Sequence, residues 1–380
     1  MPTKLKRLFS YKSFPLIFNI LLTINIIFLA NRVDFFVKTL FGLESTYGII
    51  YIVSAIMFAK YLFDNYHEKS GKKEKEKKAT SRRVIGYRDV FLLYFLIYVF
   101  VWTIICLLFS ISDMTNAIGI ICTILMSVLT VVVGNKRARR IVVKEYNVDI
   151  GLAKSKYRIA LVSDIHLGVF VQYEHLKNMV KKINATSPDL VLIAGDIFDV
   201  GNDILSDNNL LKQLGKCLSK IKSVEGVYAV LGNHDPKFES EKMQKFAKRA
   251  NIKLLNNECV ELPKLNLIGR TDRFNGERLE LKTLLPTNDK GKPVVVIDHN
   301  PDGIDEATEN KVDLILCGHT HKGQLFPINV ITKACHGKRN FYGMYKTDKT
   351  YSIVTSGAGY FALPCRIGSN SEIVKINLNL

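Results

Sequence analysis

The cysteines of this sequence do not form a disulfide framework. There are seven among 380 residues, an odd number, and no two of them make a CxxC pair. Small secreted domains held by disulfides carry paired cysteines at regular spacings, so this chain does not fit that class. Each cysteine is better interpreted as a small buried hydrophobe, and the pattern is typical of a reducing compartment.

The first long apolar run lacks the small-residue cleavage site that would mark a secretory signal peptide. It covers 14–30, and further runs follow at 47–63, 90–110 and 117–134. Each run approaches the roughly 20 residues needed to cross a bilayer. The four runs predict a transmembrane unit over 1–135. Ionisable residues usually mark transport pathways, and their scarcity within the runs gives little support to a transporter.

Acidic residues are fewer than basic ones. The sequence has 35 Asp and Glu and 53 Lys and Arg, which gives a net charge of +18. Lysine and arginine cluster before the first run, in a loop at 69–88 and after the fourth run, whereas 111–116 has none. This distribution predicts a multi-pass protein whose remaining chain lies on the cytoplasmic face. The basic stretch 71–83 lacks interleaved aromatics, so membrane lipids are expected as partners and nucleic acid is not. No partner protein is identifiable.

Short apolar runs rich in β-branched residues alternate with helical patterns from residue 156 onward. This alternation predicts an α/β domain over 156–380, joined to the membrane unit by a basic linker at 136–155. The predicted strands lie at 158–163, 190–194, 227–231, 294–297 and 312–317, with helical patterns at 175–183 and 240–250.

Each of these five runs ends in a cluster of Asp, Asn or His, and the carboxyl ends of strands are where α/β sheets gather their chemistry. Two-metal hydrolysis of a phosphate ester requires neutral imidazoles and a carboxylate that bridges two divalent cations. Mixed Asp, His and Asn ligation suits manganese, zinc or iron. The clusters are Asp164-Ile165-His166, Gly195-Asp196-Ile197-Phe198-Asp199, Gly232-Asn233-His234-Asp235, His299 and Gly318-His319-Thr320-His321.

This ordered set of clusters resembles the calcineurin-like metallophosphoesterase family, from about residue 157 to the C-terminus. The resemblance implies a four-layer αββα sandwich following the four-helix transmembrane unit. It also implies two divalent metal ions, one bound by Asp164, His166 and His321 and the other by Asn233, His299 and His319. The resemblance further implies that Asp196 bridges the two ions.

The same resemblance implies that a hydroxide bridging the two metals attacks phosphorus. His234 is then not a ligand but the residue that stabilises charge and protonates the leaving oxygen. Asp199 is expected to orient His234. His319 and His321 are expected to alternate along an extended segment, with Thr320 pointing away from the site.

Three stretches, at 299–302, 318–327 and 355–378, are similar to a membrane-anchored bacterial branch of the family, a group that includes transmembrane proteins with a metallophosphoesterase domain. Some members of that branch cleave the pyrophosphate of UDP-diacylglucosamine, which implies a phosphorylated small-molecule or lipid-linked substrate here. Lys322 stands where that branch commonly has glycine and adds a positive charge beside the site. Arg366 and Ser356 either contact substrate or pack.

The leading hypothesis is therefore a membrane-anchored, metal-dependent phosphoric ester hydrolase, either a phosphodiesterase or a phosphatase. One alternative is a membrane signalling or scaffold protein with a weakly active hydrolase domain, whose signature would be a missing ligand. No ligand is missing from the clusters. Another is a nuclease, which the absence of an added nucleic-acid module disfavours.

Overall fold

The computed structural model describes residues 72–109, 111–150, 155–199, 203–287 and 291–380. The spans predicted at 14–30 and 47–63 lie outside these residues. The chain divides between Val133 and Gly134 into two compact units.

Two long helices make up the described part of the first unit, α1 at Lys72–Leu108 and α2 at Asp113–Arg139, whose last turns belong to the second unit. The Tyr98 and Thr130 hydroxyls lie 2.8 Å apart, and the Trp102 indole donates to Oδ1 of Asn116 at 3.1 Å. Both helices expose large apolar side chains and are long and apolar enough, by length and composition, to cross a membrane. Helix α1 covers residues 90–108 of the span predicted at 90–110, and α2 contains the span predicted at 117–134.

The basic stretch before the third span was expected to be a loop, but it is helical from Lys72 onward. Lysine, arginine and glutamate, which dominate this stretch, are strong helix formers, and there is no proline between 72 and 88. The positive charge therefore extends α1 beyond its apolar part.

Two six-stranded mixed sheets form the second unit. The first has the order β1-β12-β2-β3-β4-β5 and the second has the order β10-β11-β9-β8-β7-β6. The strands are β1 Ile141–Asp149, β2 Lys156–Val162, β3 Leu190–Ala194, β4 Val227–Val230, β5 Ile252–Leu254, β6 Glu258–Glu261, β7 Asn266–Gly269, β8 Val294–Ile297, β9 Leu314–Cys317, β10 Gly343–Thr347, β11 Thr350–Val354 and β12 Ser371–Asn379. The helices are α3 Tyr173–Ala185, α4 Asn208–Leu218, α5 Glu241–Ala250, α6 Leu281–Leu284, α7 Ile304–Glu309 and α8 Ile328–Phe341.

Three apolar clusters hold these layers together. Along β2, Ile159 faces the cluster between the two sheets, whereas Ala160 faces the cluster under α3, α4 and α5. A third cluster packs α6 and α7 on the outer face of the second sheet through Leu281 and Ile304. The result is the expected α/β sandwich, and burial on both faces explains why its central strands appear as unbroken apolar runs.

The segment at 136–155, expected to be a linker, instead contains an edge strand of the first sheet. β1 pairs in parallel with β12 over nine residues. Most of its side chains are exposed or half-buried, so it has no apolar run that would reveal it in the sequence. By contrast, all five predicted strands and both predicted helices are formed, with ends shifted by at most two residues.

Candidate metal centre

Parallel strands from both sheets deliver the predicted ligands to one edge of the sandwich. In the first sheet, β2, β3 and β4 run parallel, and in the second sheet β8 and β9 do. Because carboxyl ends of parallel strands meet at the same edge, the polar clusters that follow these strands converge.

The first donor set consists of Asp164, His166 and His321. The Nε2 atoms of His166 and His321 lie 3.1 Å apart. Oδ1 of Asp164 lies 3.4 Å from Nε2 of His321 and 4.0 Å from Nε2 of His166. One ligand atom from each residue thus lies within 4.8 Å of the others, close enough to surround one ion.

The second donor set consists of Asn233, His299 and His319. Nε2 of His299 lies 3.1 Å from Oδ1 of Asn233 and 3.2 Å from Nδ1 of His319. The structure therefore brings together the three residues expected to bind the second ion.

Asp196 lies between the two sets. Its Oδ2 is 3.2 Å from Nε2 of His299 and 3.7 Å from Nε2 of His166. Its Oδ1 accepts a hydrogen bond of 2.8 Å from the backbone N–H of His234. A single carboxylate, 1% exposed, is therefore available to both sets.

The contacts around His299 favour a positive charge at its Nε2. Its Nδ1 lies 2.8 Å from the carbonyl oxygen of Ala194, which is only an acceptor, so Nδ1 carries a proton. In a neutral imidazole Nε2 is then a bare lone pair, yet it faces oxygen acceptors from Asn233 and Asp196. A positive charge between these atoms satisfies all of them, and although burial opposes it, the Asp196 carboxylate raises the pKa of His299 well above its ordinary value. Ligand atoms each about 2.0–2.2 Å from one zinc ion are spaced about 3–3.5 Å apart, as here.

Electrostatics keep the other imidazoles neutral. Burial lowers the pKa of His166 and of His319 to about 3. Burial, the neighbouring His166 and the Arg366 guanidinium hold the pKa of His321 well below its ordinary value. Neutral imidazole is the form that binds a metal, so these rings are ready as ligands.

The two carboxylates differ in their surroundings. Burial raises the pKa of Asp164 to about 6, with the negative charge of Asp196 adding to the effect, although the backbone N–H of His319 donates to both Asp164 oxygens at 3.1 Å. Burial also opposes ionisation of Asp196, but His299 and His166 outweigh it and lower the pKa of that carboxyl. The shared carboxylate is the one held ionised.

Five of the seven predicted ligands have a left-handed backbone, which is uncommon for residues other than glycine. Their φ values lie between 49° and 72°. Such strain persists only where the surrounding structure imposes it, and it gathers at functional sites. The five residues are Asp164, His166, Asp196, His319 and His321.

The expected extended geometry of the GHTH cluster is wrong. His319 and His321 are left-handed, Thr320 is right-handed helical, and a 3-10 turn begins at His321. The Thr320 hydroxyl is buried and donates to the carbonyl of Phe341 at 2.7 Å. A tight turn, rather than strand alternation, brings both histidines to the centre.

Glycines in the clusters allow the close approach of neighbouring chain segments. A Cβ on Gly195, whose φ is +82°, would lie 2.6 Å from Nδ1 of His299. A Cβ on Gly232 would collide with Oδ1 of Asp196. These two glycines are therefore required by the packing of ligands against backbone.

His234 lies beside the centre but in neither donor set. Its ring centroid is 5.3 Å from that of His166, and the residue is partly exposed. Its Nδ1 is buried with no hydrogen-bond partner among the described residues, so Asp199 does not orient His234 through this nitrogen. Asp235 instead ties the loops together, accepting from the backbone N–H groups of Phe198 and Gly232 at 2.8 and 2.9 Å.

Phe361 is a neighbour of the site that sequence reasoning missed. Its ring centroid is 4.7 Å from that of His234, 5.3 Å from His166 and 6.2 Å from His321, and the residue is 38% exposed. It presents an apolar surface at the rim. No sequence signal distinguishes it from other tail residues.

Of the two roles left open for Arg366, packing is the one observed. The side chain is fully buried and donates to the carbonyls of Ser356, Gly359 and His321 at 2.6, 2.7 and 3.2 Å. Ser356 is also buried, and its hydroxyl donates to the carbonyl of Asn370. Arg366 thus braces the turn that carries a ligand.

The family model of the calcineurin-like phosphoesterases matches residues 157–323, a range that holds both donor sets. Residues 157–323 form a calcineurin-like phosphoesterase domain. Domains of this family use two divalent metals, in agreement with the paired donor sets.

Relatives of this phosphoesterase domain occur in bacteria and animals. A Helicobacter pylori protein described as an uncharacterized metallophosphoesterase is 32% identical over 242 residues, covering 62% of this chain and 63% of that protein. A zebrafish protein described as a transmembrane protein with metallophosphoesterase domain is 31% identical over 238 residues, covering 58% of this chain and 53% of that protein. The aligned part thus spans between half and two thirds of each relative.

Among solved structures, a 5'-nucleotidase precursor from Thermus thermophilus is similar to this chain at 15% identity and a TM-score of 0.37. The similarity covers 59% of this chain and 55% of that one. At this level it carries no inference about substrate.

Proposed function

We propose that this protein is a two-metal phosphoesterase that hydrolyses a phosphate ester or anhydride. The observation that carries the proposal is the buried Asp196 carboxylate shared between two sets of imidazole nitrogens and oxygen ligands. A scaffold protein with a degenerate site would have no reason to retain this costly arrangement of buried polar groups.

In this proposal Asp164, His166 and His321 hold one divalent ion, and the second donor set holds the other. Asp196 contacts both. When bound, the two ions supply positive charge for the phosphate and lower the pKa of a nearby water. Manganese, zinc and iron all suit this mixture of nitrogen and oxygen donors.

His234 is proposed to donate a proton to the leaving oxygen. It stands at the rim, is partly exposed and is excluded from both donor sets, so its ring is available to substrate. Its backbone N–H is fixed by Oδ1 of Asp196, which keeps it beside the shared carboxylate. The proposal therefore does not depend on orientation by Asp199.

The test is hydrolysis of bis-p-nitrophenyl phosphate and p-nitrophenyl phosphate by the full chain purified in detergent. The protein is stripped with a chelator and then given manganese, zinc or iron. We expect turnover only with metal, and its loss in Asp196→Ala. A shorter fragment starting near residue 150 is unsuitable because it would remove β1 from the first sheet.

The matched control is Asp302→Asn, which changes a half-exposed carboxylate that pairs with Arg273 outside the donor sets. This variant should keep both ions and near-normal turnover. If the folded wild type bound no metal, the proposal would be wrong. Turnover that survived in Asp196→Ala would equally contradict it.

We also propose that α1 and α2 cross the bilayer as part of a multi-pass unit and that the phosphoesterase domain faces the cytoplasm. Basic residues crowd the start of α1 and the end of α2, whereas the connection at 109–112 has none. This is the distribution expected of a helical hairpin whose tip is outside. A lipid-linked or nucleotide-linked phosphate at the membrane surface would then be within reach.

Reporter fusions test the orientation. Green fluorescent protein joined after Leu380 should fluoresce, because it matures in the bacterial cytoplasm. Alkaline phosphatase inserted at 109–112 should be active, because it folds only outside. The reverse result for both fusions would place the domain on the other face.

A further inference from the structure

A polar cavity lies beside the metal centre. Its volume is about 460 Å³, within the range of small-ligand sites. It is formed where the end of α2 and the start of β1 meet the turn after His321 and the C-terminal tail. Its lining residues are Arg137, Arg140, Val142, Lys322, Gly368, Ser369 and Asn370.

Three cations and no carboxylate line this cavity. Among the described residues, no acidic side chain lies within 4.0 Å of the charged nitrogens of Arg137, Arg140 or Lys322. The Lys322 ammonium lies 4.2 Å from the ring centre of Tyr342. Such a concentration of unpaired positive charge is a site for an anion.

The charged groups around Lys322 do not neutralise the cavity. Glu372 acts on Lys322 electrostatically, but it is buried, and its carboxylate accepts from the Tyr342 and Thr355 hydroxyls at 2.8 and 2.9 Å. The positive charge of Lys144 also acts on Lys322. The field inside the cavity therefore favours negative charge.

The wall of the cavity is fixed. Ser369 is 4% exposed, donates through its hydroxyl to the carbonyl of Gln324 and accepts from the Arg366 guanidinium. The same guanidinium donates to the carbonyl of His321, one residue before Lys322. The cavity is thus separated from the first donor set by a single braced turn.

The position of Arg137 decides which anion is expected. It lies in the last turns of α2, four residues or about 6 Å along the helix axis from Val133, where the apolar stretch ends. In a bilayer-spanning helix that level is the headgroup region, where basic side chains bind lipid phosphates. We propose that this cavity binds the phosphate group of an anionic phospholipid. The inference rests on the proposed membrane crossing and not on the hydrolytic activity.

The experiment measures binding to the full chain in neutral detergent after its metals have been removed, so that neither the metal centre nor turnover contributes. Dihexanoyl phosphatidic acid is titrated by calorimetry, with dihexanoyl phosphatidylcholine and inorganic phosphate in parallel. We expect phosphatidic acid to bind and Arg137→Gln and Arg140→Gln each to weaken it at least about 10-fold, the loss typical of a charged hydrogen bond.

The matched control is Lys136→Gln, which removes one charge from the neighbouring position of α2 but not from the cavity lining. It should change affinity by less than about 2-fold, as screened surface charges do. Arg140→Lys should recover part of the affinity that Arg140→Gln loses. The side chains of Lys136, Arg137 and Arg140 are exposed, so the variants should fold.

Four results would overturn the inference. Equal losses in Lys136→Gln and Arg137→Gln would mean diffuse attraction rather than a site. Inorganic phosphate binding as tightly as phosphatidic acid would reject a lipid in favour of a free anion. Equal binding of phosphatidylcholine, or no binding of any probe, would remove the site altogether.

Discussion

The two donor sets of the metal centre have similar ligands but are supported differently. In the second set, Nδ1 of His299 donates to the carbonyl of Ala194 at 2.8 Å, which fixes the ring and directs its Nε2 lone pair at the centre. In the first set, Nδ1 of His166 is buried without a partner among the described residues. Nδ1 of His321 instead lies 3.5 Å from the Arg366 guanidinium, itself a donor.

This difference shows that ligand identity alone does not set metal affinity. A hydrogen bond behind an imidazole fixes its tautomer and raises its basicity. A buried guanidinium beside a ligand repels an incoming cation and favours the wrong tautomer. We therefore expect the second set to hold its ion more tightly than the first.

The largest expected effect comes from removing one histidine from either set. His166→Ala and His299→Ala should each bind one ion instead of two. Turnover of bis-p-nitrophenyl phosphate should fall by about 1,000-fold or more in both, because one ion contributes about 4 kcal/mol to the transition state. Metal content after dialysis and kcat measure the two quantities.

The control for this pair is His175→Ala. His175 lies in α3, contacts the carbonyl of Ala358 and belongs to neither set. It should retain two ions. Should either site variant keep both ions at full occupancy, the division into two sets would be wrong.

A smaller effect is expected at His234, which belongs to neither set. His234→Ala should retain both ions yet lose about 100-fold in kcat for an alkyl phosphate ester, the usual contribution of a general acid. The loss should shrink with p-nitrophenyl esters, because nitrophenolate leaves readily without a proton. An equal loss for both leaving groups would assign His234 to binding rather than to proton transfer.

The donor residues could be predicted because each follows a buried apolar strand in a recognisable cluster. What the sequence did not reveal is how the clusters are held. The turn at His319 and His321 depends on a hydrogen bond from Thr320 to Phe341, which lies 21 residues further along the chain. Phe361 reaches the site only through the folded tail, and no local pattern encodes that contact.

The buried strands of the fold could likewise be predicted from the sequence, whereas the edge strand β1 could not. Strands buried on both faces, such as β3 with all five residues buried, stand out as apolar runs. β1 is an exposed edge strand with mixed polarity, so its sequence resembles a linker, and only the pairing with β12 makes it a strand. Pairing between residues more than 200 positions apart leaves no trace in either segment alone.

The smallest expected effect is a difference in metal affinity, and it tests the comparison between the two donor sets most directly. His166→Ala leaves the second set intact, and His299→Ala leaves the first. Titration of each stripped variant with manganese should give a Kd about 10-fold lower for His166→Ala, the lower end of what residues behind a ligand contribute. Equal values would mean that Ala194 and Arg366 do not tune the two sites. A tighter ion in His299→Ala would mean that Asp164, rather than the oriented His299, dominates the binding of metal at this centre.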